Sequence, residues 1–248
     1  MARGCEYDYG ERKYKNAKAF GGKEIATILC IVAILGGALA FKDAGIVNFG
    51  SGRNGYMHVV DIPASKGYGA QVVAIADSIC DNENLELSTV EKYKALHDFV
   101  VYVLDYDSEA LQPGHDIRYG YGANDPATAL INGIGVCGAY ADLYRDLCEA
   151  AGLECYTVEG KAYIPGVNTQ IGHAWNAINI DGEWYHVDCC WSDTGGKRYE
   201  YFARGDNYIQ VGDGGNFREA YQSAIPFSSK DYSFKRNQMP DNFTINWK

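Results

Sequence analysis

The sequence predicts an α+β domain in which a helix leads into a small antiparallel sheet. Residues 137–151 carry apolar side chains at helical spacing, and Gly152 follows them as a common C-terminal stop. Two segments of alternating character, 173–180 and 183–190, flank Asp181-Gly182, a strong signal for a two-residue hairpin turn. A helix followed by such a hairpin is a known α+β layer arrangement.

An apolar stretch precedes this domain near the N-terminus. Residues 25–41 carry no charged side chain, and at 1.5 Å per residue they would extend ~26 Å, near the short limit for a membrane span. The first 23 residues hold six Lys or Arg against three acidic residues, which places the N-terminus in the cytoplasm. We therefore predict a single-pass protein of the cell membrane, with a cytoplasmic segment 1–23, a transmembrane anchor 24–41 and an extracellular domain.

Two other interpretations of residues 25–41 stay open. Ala38-Leu39-Ala40 fits the small-x-small pattern of a signal-peptide cleavage site, and cleavage there would give a secreted protein. A buried helix of a globular domain is the third interpretation. It is disfavoured because the stretch is apolar on all sides rather than along one stripe.

The composition is that of a folded, acidic protein. Hydrophobic residues make up 47% of the 248 positions and charged residues 22%, which excludes intrinsic disorder as the general state. The formal net charge is −10. An acidic exterior repels phosphates, so we expect no nucleic-acid partner.

Residues 42–85 are predicted to form a stalk or linker with a few N-terminal elements. Positions 42–60 are rich in Gly and Asn, which is typical of a stalk. The apolar segment 71–80 fits either a strand or a helix. The main domain is expected to span residues 86–248.

A helix is predicted over residues 87–104, where apolar side chains recur at helical spacing. Ser88 suits its N-cap, and Glu91 three positions later completes a capping box. Residues 105–135 are rich in Gly, Asn, Asp and Pro and are predicted to be a long loop. Residues 199–202 (Tyr-Glu-Tyr-Phe) are predicted to form one more strand.

Cys137 lies at the predicted start of the 137–151 helix. A thiolate is the reactive form of cysteine, and a free thiol with a pKa of ~8.5 is mostly protonated at neutral pH. A helix N-terminus favours the negative charge, and its amide groups can donate to an oxyanion. Gly135 and Gly138 are expected to leave room for a substrate backbone. A packing role is the alternative, because free cysteines are often buried.

The hairpin provides partners for this cysteine. With Asp181-Gly182 as its loop, His173, Trp175 and Asp188 share one face, and His173 and Asp188 are diagonal neighbours. Diagonal pairs lie ~7–8 Å apart at the backbone, a gap that long side chains bridge. An aspartate on one imidazole nitrogen leaves the other nitrogen for a thiol. His186 is a rival, since it lies on the same face and can pair with Asp188 instead.

The remaining cysteines leave the redox state open. If Cys137 stays free, five others follow residue 41, and an odd number cannot pair completely. The adjacent pair Cys189-Cys190 would be strained as a mutual disulfide. A redox protein that uses this cysteine pair is one alternative to acyl transfer.

Three segments together resemble the transglutaminase-like branch of the papain-like superfamily. They are GVCGAYADLY around Cys137, GHAWNAINIDGEWYHVD across the hairpin, and the Trp191 that follows. Flanking stretches are similar to bacterial members, and the resemblance covers roughly residues 91–205. It implies a papain-like core in which the helix of the nucleophile packs on a small antiparallel sheet.

The resemblance also implies a set of roles. Cys137 would be the nucleophile, His173 the base and Asp188 the residue that orients the base. Tyr106 is the candidate for a second oxyanion donor, and Trp175 is expected to contact the substrate. No metal or organic cofactor is implied.

The chemistry expected from these roles is attack on an amide or peptide carbonyl to give a thioester. Water would then release an acid, as in a cysteine protease or amidase, whereas an amine would give a crosslink. The expected partner is a protein or peptide substrate, including cell-wall peptides. A catalytically silent binding module of the same fold is the alternative from another functional class.

Overall fold

A computed structural model describes residues 55–82, 85–108, 110, 122–163, 170–195, 197–209, 218–220 and 225–248. In chain order the elements are β1 (Met57–Ile62), α1 (Tyr68–Cys80), α2 (Thr89–Val103), β2 (Asp105–Tyr106), α3 (Pro126–Asn132), β3 (Ile134–Gly135), α4 (Cys137–Ala150), β4 (Cys155–Tyr163), β5 (Gln170–Ile180), β6 (Glu183–Val187), α5 (Cys189–Thr194), α6 (Asp206–Ile209), β7 (Arg218–Ala220) and β8 (Asn242–Trp247). The α+β class predicted from the sequence is confirmed.

An antiparallel sheet of order β6-β5-β4-β7 carries the predicted hairpin. Asp181 and Gly182 both have positive φ, 56° and 86°, as a two-residue turn between twisted strands requires. Ile180 pairs with Glu183, which is the predicted register. The second strand is shorter than predicted and stops at Val187, because the next residue begins a new helix.

Helix α4 packs against this sheet, with α1 and α2 beside it. Its buried face supplies Tyr140, Leu143, Tyr144 and Leu147, all fully buried. Burying one such side chain contributes roughly 1.5–3 kcal/mol relative to leaving it exposed. The Asn176 side chain also ties β5 to α4, since its amide donates to the Ala141 carbonyl at 2.8 Å.

Helix α2 starts as the sequence predicts. The Ser88 backbone N–H donates to the Glu91 carboxylate at 2.9 Å, which satisfies one of the polar groups that a helix start leaves open. The ambiguous segment 71–80 is helical and belongs to α1, with Ile75 and Ile79 fully buried.

Strands β1 and β8 form a separate parallel pair that joins the two ends of the described chain. Residues 57–60, expected within a stalk, therefore belong to a strand. Val60 and Ile62 are fully buried in the same core as α1 and α4. The folded core thus begins well before residue 86.

Two further local predictions are wrong. Residues 126–132 form helix α3 inside the predicted loop, because Asp125 caps it through the Thr128 N–H at 3.0 Å and Pro126 suits its first turn. Residues 199–202 form turns rather than a strand. The Tyr201 carbonyl accepts the Asp188 N–H at 2.9 Å, which holds this turn against the end of β6.

The predicted location requires a correction. Among the residues that the structure describes, no helix combines the length and the apolar character needed to cross a bilayer. The stretch 25–41, on which the membrane prediction depended, lies outside the described residues. The prediction of a single-pass protein with an extracellular domain is therefore withdrawn.

Candidate active site

Cys137 is the first residue of α4 and is partly exposed. Val136 precedes it in an extended conformation as the N-cap. The first amide groups of a helix have no partner within the helix, and the aligned peptide dipoles favour negative charge there. The sequence therefore places a thiol where the local backbone favours its ionised form.

Gly135 and Gly138 lie close to other side chains of the protein, so the space that they leave is not open to a substrate. A Cβ at Gly138 would overlap the Asn124 side-chain oxygen, and a Cβ at Gly135 would come within 2.9 Å of the Ala139 Cβ. The Val136 N–H also donates to the Ala123 carbonyl at 2.8 Å. Residues 122–124 are thereby clamped against the start of α4.

The predicted partners of the thiol lie next to each other. His173 Nε2 is 2.8 Å from Asp188 Oδ2, and both side chains are at least 98% buried. His173 is on β5, and Asp188 directly follows β6. With Nε2 engaged by the carboxylate, Nδ1 is the ring nitrogen that can face Cys137.

Asp188 is held by contacts on both carboxylate oxygens. Oδ2 contacts His173, whereas Oδ1 accepts the Trp191 backbone N–H at 2.9 Å and so caps α5. This cap is the reason that β6 ends at Val187. It also fixes the carboxylate in the position from which it can orient the imidazole.

The surroundings of Cys137 lower the pKa of its thiol. Burial raises that pKa, but the hydrogen bond and the charge of His173 outweigh the effect, with help from the Ala174 backbone N–H. The negative charge of Asp188 acts in the opposite direction. On balance the Cys137 thiol ionises more readily than an ordinary cysteine thiol.

Two indole rings lie nearly parallel to the imidazole of His173. The Trp191 ring stacks on it with centroids 4.7 Å apart and planes 27° apart. The Trp175 ring lies 6.1 Å away at an interplanar angle of 19°. Trp175 is only 1% exposed, so it has little surface to offer to a substrate.

Tyr106 lies near the thiol, as expected for a candidate oxyanion donor. It is half-buried in β2 and pairs with Gly135, two positions before Cys137. Burial raises the pKa of its phenol, and the charges of Cys190 and Cys137 raise it further. The hydroxyl therefore stays protonated and can donate a hydrogen bond. Its role as the oxyanion donor stays a prediction.

His186 does not compete for Asp188. Its Nδ1 accepts the Trp175 indole N–H at 3.0 Å, and its Nε2 is 2.9 Å from Asp206 Oδ1. Asp206 comes from α6, at the far side of β6. The two histidines of the hairpin therefore have different aspartates.

No disulfide bond joins any of the six cysteines among the described residues. Cys189 and Cys190 begin α5 and are buried rather than lying on a strand. Burial raises the pKa of Cys189, and the charge of Asp188 adds to this effect. Within the described part of the chain, no group of three or more His, Cys, Asp or Glu residues could hold a metal ion.

Asn124 lies near Cys137 and was not predicted from the sequence. Its side chain contacts the start of α4 at Gly138, within one residue of Cys137. The two glycines were the available signal, because a glycine at a helix start can mark a close approach of another segment. Its position depends on a contact that only the fold reveals.

A thiol at a helix start beside a His–Asp pair on an antiparallel sheet defines the papain-like class of α+β folds. Residues 73–189 match the family model of the core domain of the transglutaminase-like superfamily. Residues 73–189 therefore carry the core domain of that superfamily.

Curated relatives support the same assignment. The kyphoscoliosis peptidase of Mus musculus is 32% identical over 112 residues, 42% of this chain and 16% of that protein. The Homo sapiens protein of the same name is 30% identical over 135 residues, 50% of this chain and 19% of that protein. The chain thus spans less than a fifth of these relatives. Both are animal proteins, so the expected bacterial origin gains no support from them.

Solved structures of low identity also resemble the chain. A crystal structure of a TGase is 21% identical, covering 71% of this chain and 42% of that one, with a TM-score of 0.41. The periplasmic domain of TgpA from Pseudomonas aeruginosa is 18% identical, covering 54% and 46%, with a TM-score of 0.37. The family assignment depends on the sequence match and not on these likenesses.

Proposed function

We propose that this protein is a thiol enzyme that cleaves or transfers amide bonds through a thioester on Cys137. The observation that carries the proposal is the lowered pKa of a partly exposed thiol beside the buried His173–Asp188 pair. A cysteine used only for packing would have its pKa raised by burial, as Cys80 has.

The reaction follows from the positions of the groups. His173 Nδ1 takes the thiol proton, and the thiolate attacks the carbonyl carbon of an amide. The oxygen of the tetrahedral intermediate is stabilised by the Cys137 backbone N–H, with Tyr106 and Asn124 as the candidate side-chain donors. His173 then gives its proton to the leaving amine, and the acyl group stays on sulfur as a thioester.

The second half of the reaction repeats these steps with another nucleophile. Water attacks the thioester to release an acid, or an amine attacks it to form a new amide. In each case His173 takes the proton of the incoming group and returns it to the sulfur. Because the mammalian relatives are named peptidases, we favour water as the acceptor and a protein or peptide as the substrate. Crosslinking to an amine is the alternative.

An acyl-trapping experiment tests this proposal. The protein is incubated with a library of amide-containing peptides, quenched in acid and analysed by intact mass and peptide mapping. We expect an acyl adduct on Cys137, absent from Cys137→Ala and retained in Cys190→Ala. Adding a small primary amine distinguishes the acceptors, since hydrolysis yields free acid and crosslinking yields the amine adduct. Equal adduct formation by wild type and Cys137→Ala would contradict the proposal.

A further inference from the structure

A second His–Asp pair, His186 and Asp206, is linked to the His173–Asp188 pair through Trp175. His186 Nε2 is 2.9 Å from Asp206 Oδ1, and His186 Nδ1 is 3.0 Å from the Trp175 indole nitrogen. Trp175 and His186 are each 1% exposed. The chain of contacts therefore runs through the protein interior toward the imidazole of His173.

Elementary hydrogen-bond chemistry fixes the proton positions along this chain. An indole N–H can only donate, so His186 Nδ1 must accept. The ring proton of neutral His186 is then on Nε2 and is donated to the Asp206 carboxylate. The two bonds fix both the tautomer and the plane of His186, and through it the plane of Trp175.

The segment that carries Asp206 is itself firmly held. Arg204 and His186 exchange both backbone hydrogen bonds, at 2.8 Å and 2.9 Å. The Arg204 side chain is buried and is 2.5 Å from the Asp231 carboxylate. Phe227 stacks on His186, with centroids 3.7 Å apart. These contacts hold Asp206 in a position to accept a hydrogen bond from His186.

Trp175 connects His186 to the imidazole of His173. Its ring is nearly parallel to the imidazole of His173, with centroids 6.1 Å apart. Aromatic faces attract cations, and the attraction depends on the distance and tilt of the ring. A Trp175 ring held in this plane favours the imidazolium that forms when the Cys137 proton moves to His173.

We propose that His186 and Asp206 are positioning residues that hold Trp175 against His173 and thereby stabilise the thiolate–imidazolium pair. This inference rests on the proposed function, because it assumes that Cys137 is the reacting thiol. It assigns a role to the histidine that the sequence alone presents as a rival for Asp188.

The test is the pH dependence of iodoacetamide alkylation at Cys137, followed by peptide mapping, which requires no knowledge of the substrate. His186→Phe keeps a ring against Phe227 but removes the acceptor, and Trp175→Phe removes the donor. We expect each variant to slow alkylation at pH 6.5 by roughly tenfold and to move the profile to higher pH. The double variant should be no slower than Trp175→Phe alone, because both changes break one chain.

A matched control separates this effect from a general loss of packing. His58 is also fully buried, lies 3.2 Å from an aspartate, Asp241, and stacks on a phenylalanine, Phe243. His58→Phe should lower stability and leave the alkylation profile of Cys137 unchanged. An unchanged profile in His186→Phe, or a double variant with additive effects, would overturn the inference.

Variants of Asp206 keep the test decisive if the ring replacements do not fold. In Asp206→Asn the side-chain amide oxygen would still accept the His186 Nε2–H, so this variant should resemble wild type. Asp206→Leu removes the acceptor and should shift the profile in the same direction as His186→Phe.

The same measurement distinguishes this inference from the proposed function. If alkylation of Cys137 in the wild type follows the pH profile of a free thiol, the proposed function is overturned as well. A lowered wild-type profile that no variant changes would overturn this inference alone.

Discussion

The candidate active site and a second buried cluster contain similar side chains but differ in their surroundings. The second cluster, which we call the ion cluster, consists of His58, Lys94, Asp98 and Asp241. Lys94 Nζ is 2.8 Å from Asp98 Oδ2 and 2.9 Å from Asp241 Oδ1. Each of these side chains is at most 3% exposed and contacts another member of the cluster. The cluster joins α2 to β1 and to the start of β8.

The candidate active site differs from the ion cluster in the exposure of one residue. Asp188 and His173 are buried and paired like the members of the ion cluster, but Cys137 is partly exposed. In the ion cluster every side chain contacts another buried member, whereas His173 also forms a hydrogen bond with the thiol of the partly exposed Cys137. A buried His–Asp pair alone therefore does not predict a catalytic site, and the proposal for Cys137 depends on the thiol beside the pair.

Variants at the active site should show the largest effects. His173→Ala removes the base, and Asp188→Asn removes the charge while keeping a good N-cap for α5. We expect acyl transfer to fall by roughly 10³–10⁴-fold in each, as in other triads. The measurement is the rate of acyl-adduct formation. Asp193→Asn, which changes a neighbouring carboxylate bonded to Tyr140, should keep most of the activity.

Breaking the ion cluster should have a large effect on stability alone. Lys94→Met leaves two buried carboxylates without their shared cation, which we expect to cost about 3–5 kcal/mol. Lys92→Met on the same helix removes only an exposed pair with Asp81 and should cost under about 1 kcal/mol. Urea unfolding measures both. Cys137 alkylation in folded Lys94→Met should match wild type, and a shifted profile would show that the two regions are coupled.

The oxyanion donors should matter for acyl transfer but not for alkylation. Tyr106→Phe and Asn124→Ala each remove a polar group near Cys137, and we expect losses of about 10–100-fold on amide substrates. Iodoacetamide alkylation passes through no oxyanion, so its rate should stay near wild type. Tyr102→Phe, at an exposed tyrosine of α2, is the control. Equal losses in both assays would indicate that these residues affect the reactivity of the Cys137 thiol and not the stabilisation of an oxyanion.

Acid should weaken the ion cluster gradually. Burial raises the pKa of Asp98, but the hydrogen bond from His97 and the charge of Lys94 outweigh it and bring the value to about 2. An unfolded aspartate titrates near ~3.9, so the charged form stabilises the fold above about pH 4, and this contribution is lost as the pH falls toward 2. Urea midpoints between pH 5 and 2 should fall more steeply in wild type than in Asp98→Asn. Parallel slopes would contradict this account.

The sequence predicts local features well because local chemistry determines them. Asp181-Gly182 tolerates positive φ, which fixes the hairpin register and brings His173 to Asp188. Ser88 with Glu91 marks the start of α2 for the same kind of reason.

The features that the sequence analysis missed depend on longer-range contacts or on competing signals. The β1–β8 pair joins residues 185 positions apart, such as Met57 and Asn242, and no short pattern announces it. Asp188 was expected inside a strand, although an aspartate is also a strong N-cap, and the cap prevails. The contact of Asn124 with α4 exists only because the fold brings residues 122–124 to Gly138.

The central claim is that Cys137 is the reactive thiol, and site-resolved alkylation tests it most directly. The other cysteines serve as internal standards, since burial raises the pKa of Cys80 to about 12 and raises those of Cys148 and Cys189 as well. Folded protein is treated briefly with iodoacetamide at pH 6.5, and each cysteine is quantified by mass spectrometry. The account predicts that Cys137 is modified first and that its rate profile has a midpoint below the ~8.5 of a free thiol. Modification of Cys137 no faster than that of Cys80 would contradict it.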